Sequence, residues 1–267
     1  MPRLLHISDL HAGARDEPRI EPGLQVLLEA IRPELIVATG DITHRGRRAQ
    51  HEHAAAFLGN LGPPVVAVPG NHDIPLLSPR RFTRPFAEFE RRWETTEPIY
   101  RSETLVVVGL NSVRPWRHQS GGLTARQLRR AAEVLAQAPE GALRVVALHH
   151  HLTGAPWRSR KRPVARRSHV LAALVDAGAE LVLAGHVHQS AISERREFEV
   201  GGESGVTVAT APGLGQPRPH RRGEARGLHA FDVSAEEIRA ETYVWRDGAF
   251  ALTAERRFAR GLTALVD

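Results

Sequence analysis

The 267-residue sequence contains no cysteine. Disulfides, thiolate zinc sites and cysteine nucleophiles are therefore excluded. Lysine is nearly absent too. Lys161 is the single one among 36 basic residues, and the rest are arginine. A high-GC genome accounts for such a bias without any function. No apolar run reaches the length of a membrane span, and the opening MPRLLHISDLH lacks a signal-peptide layout, so a cytoplasmic location and no membrane partner are expected. What the chain does have is 15 histidines and a formal net charge of +6. A basic balance suits a phosphate-bearing substrate without proving one. The length is enough for a substantial core, and 42% hydrophobic with 25% charged residues is ordinary for a globular protein.

Short apolar runs alternate with amphipathic stretches. RLLHIS, ELIVAT, PPVVAV, LRVVALHHH and AELVLAGHVH read as strands, and PIYRSETLVVVGLNS as a hairpin. GLQVLLEAIR, AQHEHAAAFLGNL, residues 80–92, TARQLRRAAEVLAQA and SHVLAALVDAG read as helices. This order predicts a sheet with helices on its faces. Beyond residue 190 four more strands are expected with no long helix between them: AISERREFEV, GVTVATA, GLHAFDV and IRAETYVW. The expectation is one domain over 1–267, with residues 1–190 as its core and 191–267 completing a second sheet. Residues 158–163 and 212–227 are the most irregular pieces and read as surface loops.

The strand ends carry the chemistry. The first ends in Asp9 and His11, the second in Gly40-Asp41, and the third in Asn71-His72-Asp73 after a Pro-Gly break. The later ones end in His149-His150-His151 and Gly185-His186-Val187-His188. Ligands of open α/β sheets bind outside the carboxyl ends of the strands. Asp9/His11 and His186/His188 are i, i+2 pairs, which point to one side of an extended chain. Imidazole and carboxylate without thiolate suit Mn, Fe, Zn, Co or Ni more than Ca or Mg. Seven such ligands are too many for one ion and right for two, which together clamp the entering and leaving oxygens of an in-line displacement. Asp41, alone on a central strand end, is the natural bridge.

The set D9-x-H11, G40-D41, G70-N71-H72-D73, H149 and G185-H186-x-H188, in this order over residues 4–188, resembles the calcineurin-like metallophosphoesterases. The resemblance implies an α/β fold, a two-sheet β-sandwich flanked by helices. It implies one ion held by Asp9, His11 and His188, a second by Asn71, His149 and His186, and Asp41 bridging them. The metals would be Mn, Fe or Zn, their identity open. A metal-bridging hydroxide would attack phosphorus, with His72 beside the substrate phosphate and leaving oxygen. Two features depart from the family. His44 stands where many relatives have a second acidic residue, and the fifth block reads H-H-H-L rather than H-H-P. His149 is the expected ligand because it follows the apolar strand directly, with His150 as the alternative.

The short length and strand-rich tail resemble the bacterial class III cyclic nucleotide phosphodiesterase branch, which implies a small phosphodiester or nucleotide substrate. A DNA-repair-type nuclease, a phosphomonoesterase and a non-catalytic scaffold are the other readings. His44, Arg158 and Arg160 are candidate substrate contacts together with His72. The basic run at 158–167 binds phosphate or nucleic acid, or is only a solvated surface. Trp116 and Trp157 either stack on a base or pack a loop. His6 reads as a core histidine, His51 and His53 as a solvated helix face, and His169 as flanking a helix. Asp73 is expected to hold its turn, and Asn111 is either a rim residue or a turn residue. Nothing in the sequence specifies the oligomeric state.

Overall fold

The computed structural model describes residues 2–14, 19–117, 119–155, 159–194, 205–215 and 225–260. His118, Trp157, Arg158, His220, the second half of the AISERREFEV strand and the middle of the 212–227 loop lie outside them. The first sheet runs in the order β12, β11, β10, β1, β2, β3, where β1 is Arg3–Ile7, β2 Leu35–Ala38, β3 Val65–Ala67, β10 Gly227–Val233, β11 Glu237–Arg246 and β12 Ala249–Ala259. The second runs β4, β5, β6, β7, β9, β8, with β4 Ile99–Arg101, β5 Leu105–Leu110, β6 Leu143–Leu148, β7 Leu181–Ala184, β8 Ala191–Glu194 and β9 Thr207–Thr210. β1, β2 and β3 are parallel, as are β5, β6 and β7, and antiparallel strands complete both sheets.

Strand alternation builds the layers. Leu4, Leu35 and Val37 point between the sheets and meet Leu105, Val107, Leu143 and Val145. Their neighbours Leu5, Ile7, Ile36 and Ala38 point outward, under α1 (Glu21–Ile31) and α2 (Arg48–Gly59). On the other side Val106, Val108, Val146 and Leu148 lie under α5 (Ala125–Leu135) and α6 (Arg167–Asp176). Strands buried on both faces read as continuous apolar runs, which is why VVAL and LIVA are legible in the sequence. Each such Val, Leu or Ile contributes roughly 1.5–3 kcal/mol on burial. Thr124 begins α5 with a capping box: its side chain accepts from the Gln127 N–H, and Gln127 reaches back to the Thr124 N–H.

Three expectations are corrected. The helical stretch at 80–92 is two short helices, α3 (Arg80–Thr83) and α4 (Ala87–Trp93). Pro85 lies between them, and the residue before a proline is pushed out of the helical region; Arg84 has φ −146°. The C-terminal strands do not all complete the second sheet. β8 and β9 join it, whereas β10, β11 and β12 extend the first. β12 was not expected at all. It is an edge strand, mostly exposed, in which Phe258 is the buried residue and a Glu-Arg-Arg run breaks the alternation of apolar and polar positions. An Asp247-Gly248 turn with both φ positive joins it to β11, the pairing type favoured in two-residue hairpins. His51 is buried and its ring donates to the Asp73 carbonyl, so it is no solvated face; His53 on the same helix is exposed.

His229 on β10 is buried, donates from Nε2 to the Thr210 carbonyl and accepts at Nδ1 from Thr242 Oγ1. Burial lowers its pKa from 6.5 to about 4. The unfolded chain binds the proton more readily than the folded one, so acid favours unfolding. The neutral ring's share of stability is intact above pH 6.5 and is lost as pH falls toward 4, by roughly 3 kcal/mol. In His229→Gln, the loss of urea stability between pH 7 and pH 4 is expected to be smaller than in wild type. Identical pH slopes would show that His229 takes no part in acid unfolding.

Candidate metal centre

At the carboxyl ends of the parallel strands the backbone leaves its ordinary range. Asp9, His11, Asp41, His186 and His188 all have φ between 49° and 74°. Non-glycine residues rarely adopt this region, at about 1–3 kcal/mol each, and they concentrate at functional sites. The pairs Asp9/His11 and His186/His188 therefore converge through left-handed turns, not through the extended alternation expected from their spacing. Cross-strand bonds hold the turns: Asp9 N–H to Gly40 O and His11 N–H to Asp41 O, both at 2.9 Å. Glycine makes room. A Cβ on Gly70 would lie 2.2 Å from the Asp41 nitrogen, and one on Gly185 would overlap Ser8 Oγ at 1.8 Å.

Asp73 ties the third strand end to the second. Its carboxylate accepts from the N–H groups of Ile42, Thr43 and Gly70 and from Thr43 Oγ1. That is the turn-holding part expected of it. Asn111, after β5, closes its own turn by accepting from the Val113 N–H.

The side chains gather into two adjoining groups, with a third set of His11, His44 and His72 sharing His11 with the first. Asp9, His11 and His188 form one, and Asp41, His149 and His186 the other, with the candidate ligand atoms of each group within 4.8 Å of one another. Asn71 Oδ1 lies 3.3 Å from His149 Nε2 and so belongs with the second. Asp41 Oδ2 stands 3.3 Å from His149 Nε2 and 4.0 Å from His11 Nε2, reaching both. All seven residues are buried. Carbonyls orient two of the rings. His149 Nδ1 donates to Thr39 O and His186 Nε2 to Gln119 O, so His149 Nε2 and His186 Nδ1 face the centre, 3.2 Å apart. His150 turns the other way, its Nδ1 hydrogen-bonded with Ser112 Oγ.

Charge follows from this packing. Burial opposes ionisation of Asp9, yet His188 and His149 hold its carboxyl below the usual carboxylate range. Asp41 is likewise held low, against burial, by His149, His72 and His11. Burial keeps His11 and His186 well below the ordinary imidazole value, hence neutral as ligands must be. His149 is the exception: burial disfavours its charge, but Asp41 outweighs burial and raises it to about 9. The buried carboxylates thus demand positive charge. Asp9 Oδ1 and Asp41 Oδ2 accept no hydrogen bond, although imidazole nitrogens stand 2.9–4.0 Å away. Two orphaned carboxylate oxygens facing convergent imidazoles fit a pair of cations.

Beside the first group, His72 packs edge-on against His11 at 4.9 Å between ring centroids. Its Nδ1 donates to the His44 carbonyl at 2.8 Å, and the His44 ring stacks on it at 5.9 Å. His44 thus lies beside His72. Arg160 is exposed, and Trp116 is 71% exposed. His6 is buried and hydrogen-bonded to Thr39 Oγ1, and His169 lies exposed in the first turn of α6. Two further residues reach the centre without having been assigned a place at it individually from the sequence. Ser8 Oγ donates to Asp9 Oδ2 at 2.7 Å, and a serine beside a ligand carries no signal of its own. Lys161 donates to the carbonyl of His186; its signal was its being the single lysine.

The pattern described as calcineurin-like phosphoesterase matches residues 2–190. The chain is 29% identical over 200 residues to the 3',5'-cyclic adenosine monophosphate phosphodiesterase CpdA of Escherichia coli, covering 70% of each. It is 33% identical over 163 residues to the cAMP/cGMP dual specificity phosphodiesterase MT0825 of Mycobacterium tuberculosis, covering 55% of this chain and 49% of that protein. A dimetal phosphatase from Danio rerio shares the fold with a TM-score of 0.67 at 14% identity, over 97% of this chain and 99% of that one. With the family match spanning the whole ligand series, the chain belongs to the calcineurin-like phosphoesterase family, and it is a hydrolase acting on phosphoesters.

Proposed function

We propose that the protein is a dimetal phosphodiesterase acting on small phosphodiesters, cyclic nucleotides foremost. The observation that carries this is Asp41, whose carboxylate reaches both ligand groups at one buried rim. One ion would be held by Asp9, His11 and His188, and the other by Asn71, His149 and His186, with Asp41 common to both. Bound there, two divalent or trivalent ions such as Mn, Fe or Zn would activate water and offset the charge of the phosphoryl oxygens. Cyclic nucleotides are favoured because CpdA and MT0825 are named for them.

The chain's own groups do the rest. Burial excludes bulk water around Asp9 and Asp41 and strengthens every charge interaction within. Because the His44 carbonyl only accepts, His72 Nδ1 carries its proton, and Nε2 is the atom left for the leaving oxygen. In the net reaction water's oxygen bonds to phosphorus, the P–O ester bond breaks, and the departing alkoxide takes the proton that the attacking water gives up.

Manganese-loaded protein is expected to hydrolyse bis-p-nitrophenyl phosphate in preference to p-nitrophenyl phosphate, with Asp41→Asn losing at least about a hundredfold. Near-normal activity of Asp41→Asn would remove the bridge. A monoester preference would make the protein a phosphatase, and salt-dependent cleavage of single-stranded DNA a nuclease. His72→Ala should retain both ions and lose about 10²–10⁴ in kcat; loss of the ions would contradict its place beside the leaving group. His149→Ala should retain one ion fewer by elemental analysis, and an unchanged content would transfer the ligand position to His150.

A further inference from the structure

Lys161 lies between the last two ligand blocks in sequence, and the fold brings it onto them. Its half-buried side chain donates from Nζ to the carbonyl of His186. The segment around it is held in register. Arg162 N–H bonds to Gln119 O, Val164 N–H to His151 O and Ala165 N–H to Gly121 O, at 3.0–3.3 Å. Gln119 O also receives His186 Nε2, so one carbonyl ties the lysine segment to a candidate ligand ring. The positive charge of Lys161 is felt at Asp9, His150, His151 and His186. Two partly buried arginines serve loop structure instead: Arg81 spans the Pro75 and Pro115 carbonyls, and Arg114 bonds to Asn111 O, Val113 O and Gln127 Oε1.

This chain uses arginine at every other basic position. The two cations differ physically. Arginine is a rigid planar fork suited to fixed carbonyls and carboxylates, whereas lysine is a compact charge on a flexible stem that re-aims its donors. A phosphoryl group whose oxygens move during displacement suits the second. The placement is also two-sided. His72 lies against His11 in one ligand group, and Lys161 against His186 in the other.

We propose that Lys161 is a substrate-binding cation, whose ammonium contacts a non-bridging oxygen of the substrate's phosphoryl group from the His186 side while His72 flanks it from the His11 side. The assignment rests on the phosphoesterase centre described above and adds to it an anion anchor supplied by the chain itself. In phosphoryl transfer the charge is spread over the equatorial oxygens, so a cation that follows them stabilises the transition state as well as the bound anion.

The test compares full-length wild type with Lys161→Met and Lys161→Arg, each loaded with manganese. Three quantities are read: metal content by elemental analysis, inorganic phosphate affinity by calorimetry, and KM and kcat on bis-p-nitrophenyl phosphate. Lys161→Met is expected to keep wild-type metal content, to bind phosphate about tenfold more weakly or worse, and to lose about 10–100-fold in kcat/KM. Lys161→Arg should recover part of the phosphate affinity. Wild-type phosphate affinity and turnover in Lys161→Met would overturn the proposal. So would loss of an ion in Lys161→Met with phosphate affinity restored by excess manganese, since the lysine would then only support His186. Should wild type bind ions and phosphate yet cleave no ester, the diesterase reading fails, and the phosphate titrations still decide the role of Lys161.

Discussion

Two carboxylates, Asp9 and Asp41, are placed side by side with no solvent exposure, and the architecture around them answers to that charge. An isolated buried carboxylate is costly by several kcal/mol and ordinarily recovers its proton. Here each keeps its charge because imidazoles are packed against it, Ser8 Oγ and the His186 N–H bond to one, and the His72 N–H bonds to the other at 2.7 Å. One oxygen of each carboxylate still has no donor. The centre is therefore compatible with bound cations, and the hydrolytic reading rests on that compatibility together with the reach of Asp41 toward both groups.

Such a rim is possible only on a rigid base. Five of the seven residues sit in left-handed backbone, a conformation that persists only where its surroundings over-determine it. The surroundings are the two sheets, packed face to face through Leu4, Leu35, Val37, Val107 and Val145 and covered outside by four long helices. The first sheet supplies Asp9, His11, Asp41 and Asn71, and the second supplies His149, His186 and His188. Hydrogen bonds then cross between the sheets, His149 to Thr39 O and the His186 N–H to Asp9. The sandwich interface and the site are one construction, since sliding the sheets past each other would separate the two ligand groups.

The same reasoning separates the roles of the surrounding histidines. His6, His51 and His229 each spend a ring nitrogen on a threonine or a backbone carbonyl and serve the interior. His150 is turned onto Ser112 by the chain reversal after β6. His44 lends its carbonyl to His72, so its contribution begins with the backbone, whatever its ring contacts.

Much of this was legible in the sequence because it is local. Apolar runs buried on both faces announce β1, β2, β5, β6 and β7, Gly-Asp and Gly-Asn-His-Asp mark strand exits, and their order along the chain names a family. Where cues are weak or contrary, the sequence misleads. Pro85 splits a charged helical pattern, β12 is a mostly exposed edge strand whose Glu-Arg-Arg run breaks its alternation, and His51 on a polar helix is drawn into the interior by Asp73. The candidate residue types and their order were thus determined by sequence alone. Their arrangement as two adjoining groups with Asp41 within 4.0 Å of a histidine of each, the left-handed turns that aim them, the orientation of the His149 and His150 rings and the arrival of Lys161 at His186 were decided only by tertiary structure. These depend on contacts between residues far apart in the chain, and no local pattern encodes which carbonyl or carboxylate a side chain will meet when the two sheets close on each other.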